Sequence, residues 1–436
     1  MHRIASLFSG AGGLDLGFAQ TGRYEVVFAN EVLLHAAATY ARNFGLRLEV
    51  ATEAKLGVVL ACDVAQVDFT ALRGEVDVVL GGPPCQDFSI VRGPGWERRG
   101  IEVRRGRLYE HFLRALAELQ PRAFVFENVP GLASANEGLA LKAVLEGFEG
   151  EGYEVLFSGV VDFSRLGVPQ KRERLIVVGV RRGLLRAGDL LVAKERIEGA
   201  LRGDGLLFSK CPLTPIEVFE GRRLDELGDE YKEAVEKWDG VWLEVGTERA
   251  WRWKSEVWDR LTFDVVEDYK VINGVADSEL EQALKEHEAV LKELSYYGRP
   301  VSELELPDGT HEPPREDPFT VERMKRIPFG ENHEFVRGTR WEVKSFVSLF
   351  YRRLHPLRPA YTVVAYGGGG THGYHYGRDR ATLTLRERAR LQTFPDSFLF
   401  TGTRAQIRAQ IGEAVPPLAA KRLALALAEV LDELEQ

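Results

Sequence analysis

The stretch Gly81-Gly82-Pro83-Pro84-Cys85-Gln86-Asp87-Phe88-Ser89 decides how the chain is read, because it follows Val76-Asp77-Val78-Val79-Leu80, a short apolar run bounded by turn residues. Such a run predicts a buried parallel strand and places Cys85 just past its carboxyl end. Open α/β sheets put their ligands and chemistry at that edge. Pro83 and Pro84 fix φ and exclude helix from the residues before them, so the backbone approaches Cys85 as a rigid extended turn. An isolated cysteine is more often a small buried hydrophobe. Here the Gly-Gly-Pro-Pro approach and the polar residues that follow favour a presented thiol.

At 436 residues the chain exceeds one typical core, so two domains are expected. Its 44% apolar and 28% charged residues describe an ordinary globular protein. No apolar run reaches the length of a membrane span, and the first residues enter a strand pattern without a charged-then-apolar leader, so a cytoplasmic location is expected. Cys62, Cys85 and Cys211 are widely spaced, which argues against both a disulfide framework and a zinc site. His372 and His375 lack a third ligand at suitable spacing, so no metal site is expected. The net charge of −9 is local: residues 217–293 hold 22 acidic and 11 basic side chains, which leaves the rest of the chain slightly positive.

The same strand-then-polar-residue pattern recurs along the chain. A first strand, Ile4 to Phe8, runs into Ser9-Gly10-Ala11-Gly12-Gly13 and a helical pattern, an arrangement in which glycines let a ligand approach the backbone and a helix N-terminus offers free N–H groups. A second strand, Tyr24 to Ala29, ends at Asn30-Glu31, where a carboxylate is placed for a ribose diol; the bland alternative is a carboxylate favoured by the start of a helix. Residues 90–108 are rich in Gly and Arg, including Arg98 and Arg99, and read as a lid that closes on phosphates. The strand Ala123 to Phe126 delivers Glu127, a carboxylate between Phe126 and Val129 that is costly unless paired and whose pKa desolvation would raise. Farther on, Gln170, Arg172 and Arg174 alternate along an extended segment and point to one side, so one face carries an amide and two guanidinium forks.

The string Pro-Pro-Cys-Gln-x-Phe-Ser after a Gly-rich strand end resembles the catalytic motif of the cytosine-C5 DNA methyltransferases. Further stretches resemble that family in its order: Phe8-x-Gly10-x-Gly12, Asn30-Glu31, Ala61-Cys62-Asp63-Val64, Phe126-Glu127-Asn128-Val129-Pro130-Gly131, Gln170-x-Arg172-x-Arg174, Leu383 to Pro395, and Gln410 to Pro417. The resemblance implies an α/β protein: a doubly wound, Rossmann-like catalytic domain built from residues 1–183 and 405–436, and a smaller target-recognition domain at 184–404 that includes an acidic helical insert at 217–293. It implies transfer of a methyl group from S-adenosylmethionine to C5 of a cytosine flipped out of duplex DNA, through a covalent bond between Cys85 and C6. Glu127 would then act at N3, with Arg172 and Arg174 holding the base. Phe8, Gly10, Gly12, Glu31, Asp63 and Pro83 would hold the cofactor, and Gln86, Ser89, Arg98, Arg99 and Gln170 would contact DNA. Val32, Val103 and Glu413 depart from the family's usual residues at those positions.

Outside these matches lies the region from Leu184 to Pro359, in which the cluster Trp238, Trp242, Trp251, Trp253 and Trp258 is expected to form a local core rather than a base-stacking platform. Like charges repel phosphate, so base reading is expected in the basic half, Arg315 to Arg358, with Arg323, Lys325, Arg326, Arg337 and Arg340 as candidates for guanine edges. A tRNA-directed member of the family would share the catalytic motifs; the long insert favours duplex DNA. A monomer is expected, and a companion restriction endonuclease is a possible functional partner.

Overall fold

Eight strands form one sheet: β1 (His2–Leu7), β2 (Tyr24–Asn30), β3 (Arg47–Glu49), β4 (Val58–Leu60), β5 (Val78–Gly81), β6 (Ala123–Asn128), β7 (Tyr153–Asp162) and β8 (Glu173–Arg181). Their order is β3-β4-β2-β1-β5-β6-β8-β7. The first six strands run parallel, and β8 is antiparallel to both β6 and β7. The chain winds outward from β1 in one direction through β2 and in the other through β5, which makes the sheet doubly wound. This computed structural model describes residues 1–84, 108–344, 350–367, 371, 373–378 and 382–433. Cys85, Gln86, Ser89, Arg98 and Arg99 therefore lie outside the described residues.

Two compact units divide the chain. The first comprises Met1–Leu166, Glu173–Asp204 and Ala414–Gln436, and the second comprises Gly167–Arg172 and Gly205–Glu413. Their limits fall at Asp204 and Glu413, where the sequence suggested 183 and 404. The helix Ala187–Arg202 accounts for the first difference, since it belongs with the sheet of the first unit.

In the first unit, Val78, Val79 and Leu80 are all fully buried, as a run covered on both faces requires. Beside them Phe112, Phe124, Phe126, Phe148 and Tyr153 pack at ring separations of 4.4 to 6.0 Å, mostly edge to face. Helix α1 (Gly13–Ala19) lies against the C-terminal helix Pro417–Glu433. Gly17 permits that approach: a Cβ there would lie against the Pro417 carbonyl, 2.5 Å from Ala420 Cβ and 2.6 Å from Lys421 N. The Tyr24 hydroxyl donates to Ala424 O at 2.9 Å and ties β2 to the same helix.

Asp15, on the inner face of α1, is 1% exposed. Burial pushes its carboxyl up to about 6, partly offset by the Ser6 and Tyr40 hydroxyls. Its Oδ1 has no hydrogen-bond partner among the described residues.

The second unit is mainly helical. Trp242, Trp253 and Trp258 pack on one another with centroids 5.2 to 6.3 Å apart, and Trp253 also meets Phe329 at 5.4 Å and Phe335 at 6.1 Å. The aromatic core thus joins the acidic insert to the basic segment: the Thr247 hydroxyl donates to Phe335 O at 2.9 Å, and Arg249 pairs with Glu331 at 2.7 Å. A buried His287 bridges Glu217 and Cys211 O, each at 2.9 Å. In the helix Leu385–Leu391, Thr384 and Glu387 form the capping box that their spacing predicts. Arg386 and Arg390 of that helix are buried against Asp308 and Asp396. Among the described residues, no helix is long and apolar enough to cross a membrane.

Two stability effects follow. Gly17→Ala should cost about 1–3 kcal/mol, because backbone atoms of the C-terminal helix must move to admit the methyl group; the fall in thermal midpoint measures it. For Asp15, the folded state holds the proton more tightly than the unfolded chain, so stability falls as pH rises from about 4 to 6, and the full cost is present above that window. Asp15→Asn should remove this dependence. Relative to wild type, the variant should gain up to about 3 kcal/mol between pH 4 and 7.5 in denaturant titrations.

Candidate active site

Strand register brings the site together. Leu7 of β1 pairs with Asn30 of β2 and Gly81 of β5, Asn30 pairs with Leu60 of β4, and Gly81 pairs with Phe126 of β6. The carboxyl-terminal parts of five strands therefore lie on one line: Phe8, Glu31, Asp63 and Pro83 follow β1, β2, β4 and β5 within one to three positions, and Glu127 is the penultimate residue of β6.

At β1 the turn is left-handed, with φ of 53° at Phe8, 54° at Gly10 and 92° at Gly12. The two glycines serve different ends. A Cβ on Gly12 would collide with the rings of Phe44 and Tyr40 from helix α2 (Leu34–Phe44), whereas one on Gly10 would meet nothing within 4 Å. Gly10 therefore leaves an open side on the loop. Glu31, 7% exposed, accepts from Gly10 N–H at 2.8 Å through Oε2 and from Leu33 N–H at 2.9 Å through Oε1, fastening the end of β2 to the loop. Asp63 is exposed beyond β4 and accepts from Ala65 N–H at 2.9 Å.

Glu127 is paired: Arg174 Nε lies 3.0 Å from its Oε1, with both side chains mostly buried. Burial lowers the Arg174 guanidinium from its ordinary value, and Glu127 opposes that shift. β6 and β8 are antiparallel neighbours with Glu127 opposite Ile176, so Arg174 stands two residues along the partner strand, within reach of the carboxylate. Asn128 Nδ2 donates to Pro83 O at 3.1 Å, joining the strand end that carries Glu127 to the segment that leads into Cys85. Sequence reasoning passed over Asn128; its place directly after Glu127 was the available signal.

Gln170, Arg172 and Arg174 do not share one environment. Gln170 and Arg172 lie in the second unit and are fully buried. The Gln170 amide donates to Leu391 O at 2.7 Å and to Gln392 Oε1 at 2.8 Å, while Arg172 donates to Val363 O at 3.2 Å and Gly412 O at 2.8 Å. Both bind the protein's own carbonyl groups. Glu413, next to Gly412, has its carboxyl raised by burial, against the Tyr366 hydroxyl and Arg172.

The arginines expected to read bases divide in two. Arg323 is 8% exposed, donates to Trp341 O at 2.7 Å and stacks on Phe319 and Tyr351. Arg326 pairs with Glu244 and Glu322 and covers Trp341 at 4.3 Å. These two hold the unit together. Arg337 and Arg340 remain exposed; Arg337 lies beside a cavity of about 600 Å³ lined by Arg249, Arg252, Trp253, Glu331 and Glu334, and Arg340 lies over the Trp341 ring at 4.6 Å. Arg352, absent from the sequence-based candidates, lies 4.0 Å over the ring of the exposed Tyr361, and burial lowers its guanidinium. Among the described residues, no group of three or more His, Cys, Asp or Glu side chains is placed to hold a metal ion.

The chain is 65% identical to the DNA (cytosine-5-)-methyltransferase M.ApeKI of Aeropyrum pernix, with 99% of each chain covered. It is 33% identical to the type II methyltransferase M.NgoFVII of Neisseria gonorrhoeae, covering 99% of this chain and 87% of that one. A solved DNA modification methyltransferase encoded within an Escherichia coli prophage shares the fold, with a TM-score of 0.60 at 23% identity, 99% of this chain and 100% of that chain being covered. The C-5 cytosine-specific DNA methylase profile matches residues 2–203 and 213–429, and the chain belongs to that family.

Proposed function

We propose that this DNA (cytosine-5-)-methyltransferase acts through Cys85 and Glu127, with Arg174 as the group that holds Glu127. The observation that carries the assignment is the Glu127–Arg174 pair of 3.0 Å on β6 and β8, beside the Gly82-Pro83-Pro84 approach to Cys85. C5 of cytosine is a poor nucleophile and lies within the base stack, so the base must first leave the duplex. The Cys85 thiolate adds to C6, and the displaced electron pair moves toward C5 and N3. Glu127 hydrogen-bonds or protonates N3 and so stabilises that charge. After alkylation at C5, loss of the C5 proton re-forms the double bond and expels the Cys85 thiolate.

Members of the family generally use S-adenosylmethionine, and the first unit offers features that fit it. Gly10 has an open side, Asp63 is exposed beyond β4, and Phe8, Gly12, Glu31 and Pro83 lie at the same edge. Bound there, the cofactor supplies an electrophilic methyl group on its sulfonium sulfur.

The second unit is the proposed target-recognition domain for duplex DNA. Arg337, Arg340 and the Arg352–Tyr361 stack are its candidate contacts, because Arg337, Arg340 and Tyr361 are exposed whereas Arg323 is 8% exposed and donates to Trp341 O. Gln86, Ser89, Arg98 and Arg99 are proposed contacts as well, the arginines to phosphate. The chain would work as a monomer in the cytoplasm, with access to DNA. M.NgoFVII carries a type II name, and this chain is proposed to protect its own site from a companion endonuclease.

Duplex carrying 5-fluorocytosine tests the chemistry, since fluorine cannot leave as the proton does. Wild type should form a denaturation-resistant adduct and Cys85→Ser none; an active enzyme that forms no adduct would refute the mechanism. Glu127→Gln should lower kcat by about 10²–10⁴-fold. For the recognition unit, Arg323→Ala should lower the thermal midpoint. Arg337→Ala or Arg340→Ala should leave it unchanged and relax the methylated sequence by about 1–3 kcal/mol per lost bidentate contact. Sequencing of methylated sites reads the second effect.

A further inference from the structure

Gly82 is the residue between β5 and the two prolines, and nothing in its own backbone demands glycine. It is absent from the positive-φ residues, so its conformation is open to any L-amino acid. What a side chain would meet is Glu127. A Cβ built on Gly82 falls 2.6 Å from Glu127 Oε2 and 3.5 Å from Glu127 O, and it meets no other residue's atoms among its three nearest neighbours. The opposite carboxylate oxygen, Oε1, is the one that faces Arg174 Nε at 3.0 Å. The carboxylate is thus held between a guanidinium on one side and the bare Cα of Gly82 on the other. Gly81 differs, since a Cβ there would strike the Phe112 ring and Leu7 O, which are parts of the core and the neighbouring strand.

We propose that Gly82 is a positioning residue for methyl transfer: its missing side chain creates the space in which the Glu127 carboxylate lies while paired with Arg174. This inference rests on the reading of Glu127 given above. A methyl group at position 82 would move the end of a flexible side chain and leave backbone in place, so the cost should fall on catalysis far more than on folding. Moving the carboxylate also strains its bond to Arg174, because that bond and the clash act on the two oxygens of one rigid group. A displacement of this size at an acid is the kind that costs about 10²-fold in rate.

The test is a double-variant cycle on the full chain with its DNA and S-adenosylmethionine, read as single-turnover methylation rate, DNA affinity and thermal midpoint. Gly82→Ala should lose about 10²-fold in rate while its DNA affinity and thermal midpoint stay near wild type. In the Glu127→Ala background the same substitution should lose nothing further, because the group it displaces is gone. The pH profile of kcat should change in Gly82→Ala, and that change should be absent from the Glu127→Ala pair. A wild-type rate in Gly82→Ala overturns the proposal. So does a loss that multiplies in the double variant, or a collapse of DNA affinity or folding that Glu127→Ala does not relieve, since each places the effect elsewhere in the loop. Glu127→Ala with a wild-type rate refutes the acid role itself, a result distinct from failure of the cycle.

Discussion

Parallel register is the constraint on which the first unit depends. Because the register of β4, β2, β1, β5 and β6 aligns their carboxyl-terminal parts, residues from five separated parts of the sequence reach one edge, where contacts such as Glu31 to Gly10 and Asn128 to Pro83 fasten them. The central strands β5 and β6 carry apolar runs buried on both faces, and a shift of register would move Glu127 away from Arg174. The hydrophobic pattern thus fixes chemistry and core together. The antiparallel strand β8 adds what parallel strands cannot: a side chain that approaches the edge from the opposite direction, as Arg174 does toward Glu127.

Guanidinium groups do much of the structural work in the second unit. Arg172, Arg353, Arg386 and Arg390 are fully buried, and each donates to main-chain carbonyls or to a buried carboxylate. A planar five-donor fork can satisfy several carbonyls of irregular backbone at once, which a region poor in strands needs. Removing one such arginine would strand acceptors from two or three segments, so its loss acts on the fold before it acts on DNA.

This double use of arginine limits what sequence could reveal. Strand interiors and the polar residues at their ends were legible because apolar runs and turns are local signals: Glu127 follows Phe126 whatever the rest of the chain does. The burial of Arg323 and the exposure of Arg337 were not legible, since the difference lies in Phe319, Tyr351 and Trp341 closing around one and not the other. Gln170, Arg172 and Arg174 were read by alternation as one face, whereas Gln170 and Arg172 donate to Leu391, Gln392, Val363 and Gly412, about two hundred residues away. Alternation reports a side, and only the fold says what occupies it. The acidic insert was likewise separated from the basic segment by charge, while Trp253 and Arg249 join them.

The contact of helix α1 with the C-terminal helix bears on how the protein is made. Gly17 rests on Pro417 and Ala420, Tyr24 bonds to Ala424, and His2 lies 3.2 Å from Asp432, so residues made early meet residues made about four hundred positions later. The sheet's first layer must therefore wait, with one face of α1 uncovered, until residues 417–433 have been synthesised after the second unit. Such long-range closure slows folding and prolongs exposure of apolar surface. Placing the helix Pro417–Glu433 ahead of β1 through a short linker would let this helix pair form early during translation.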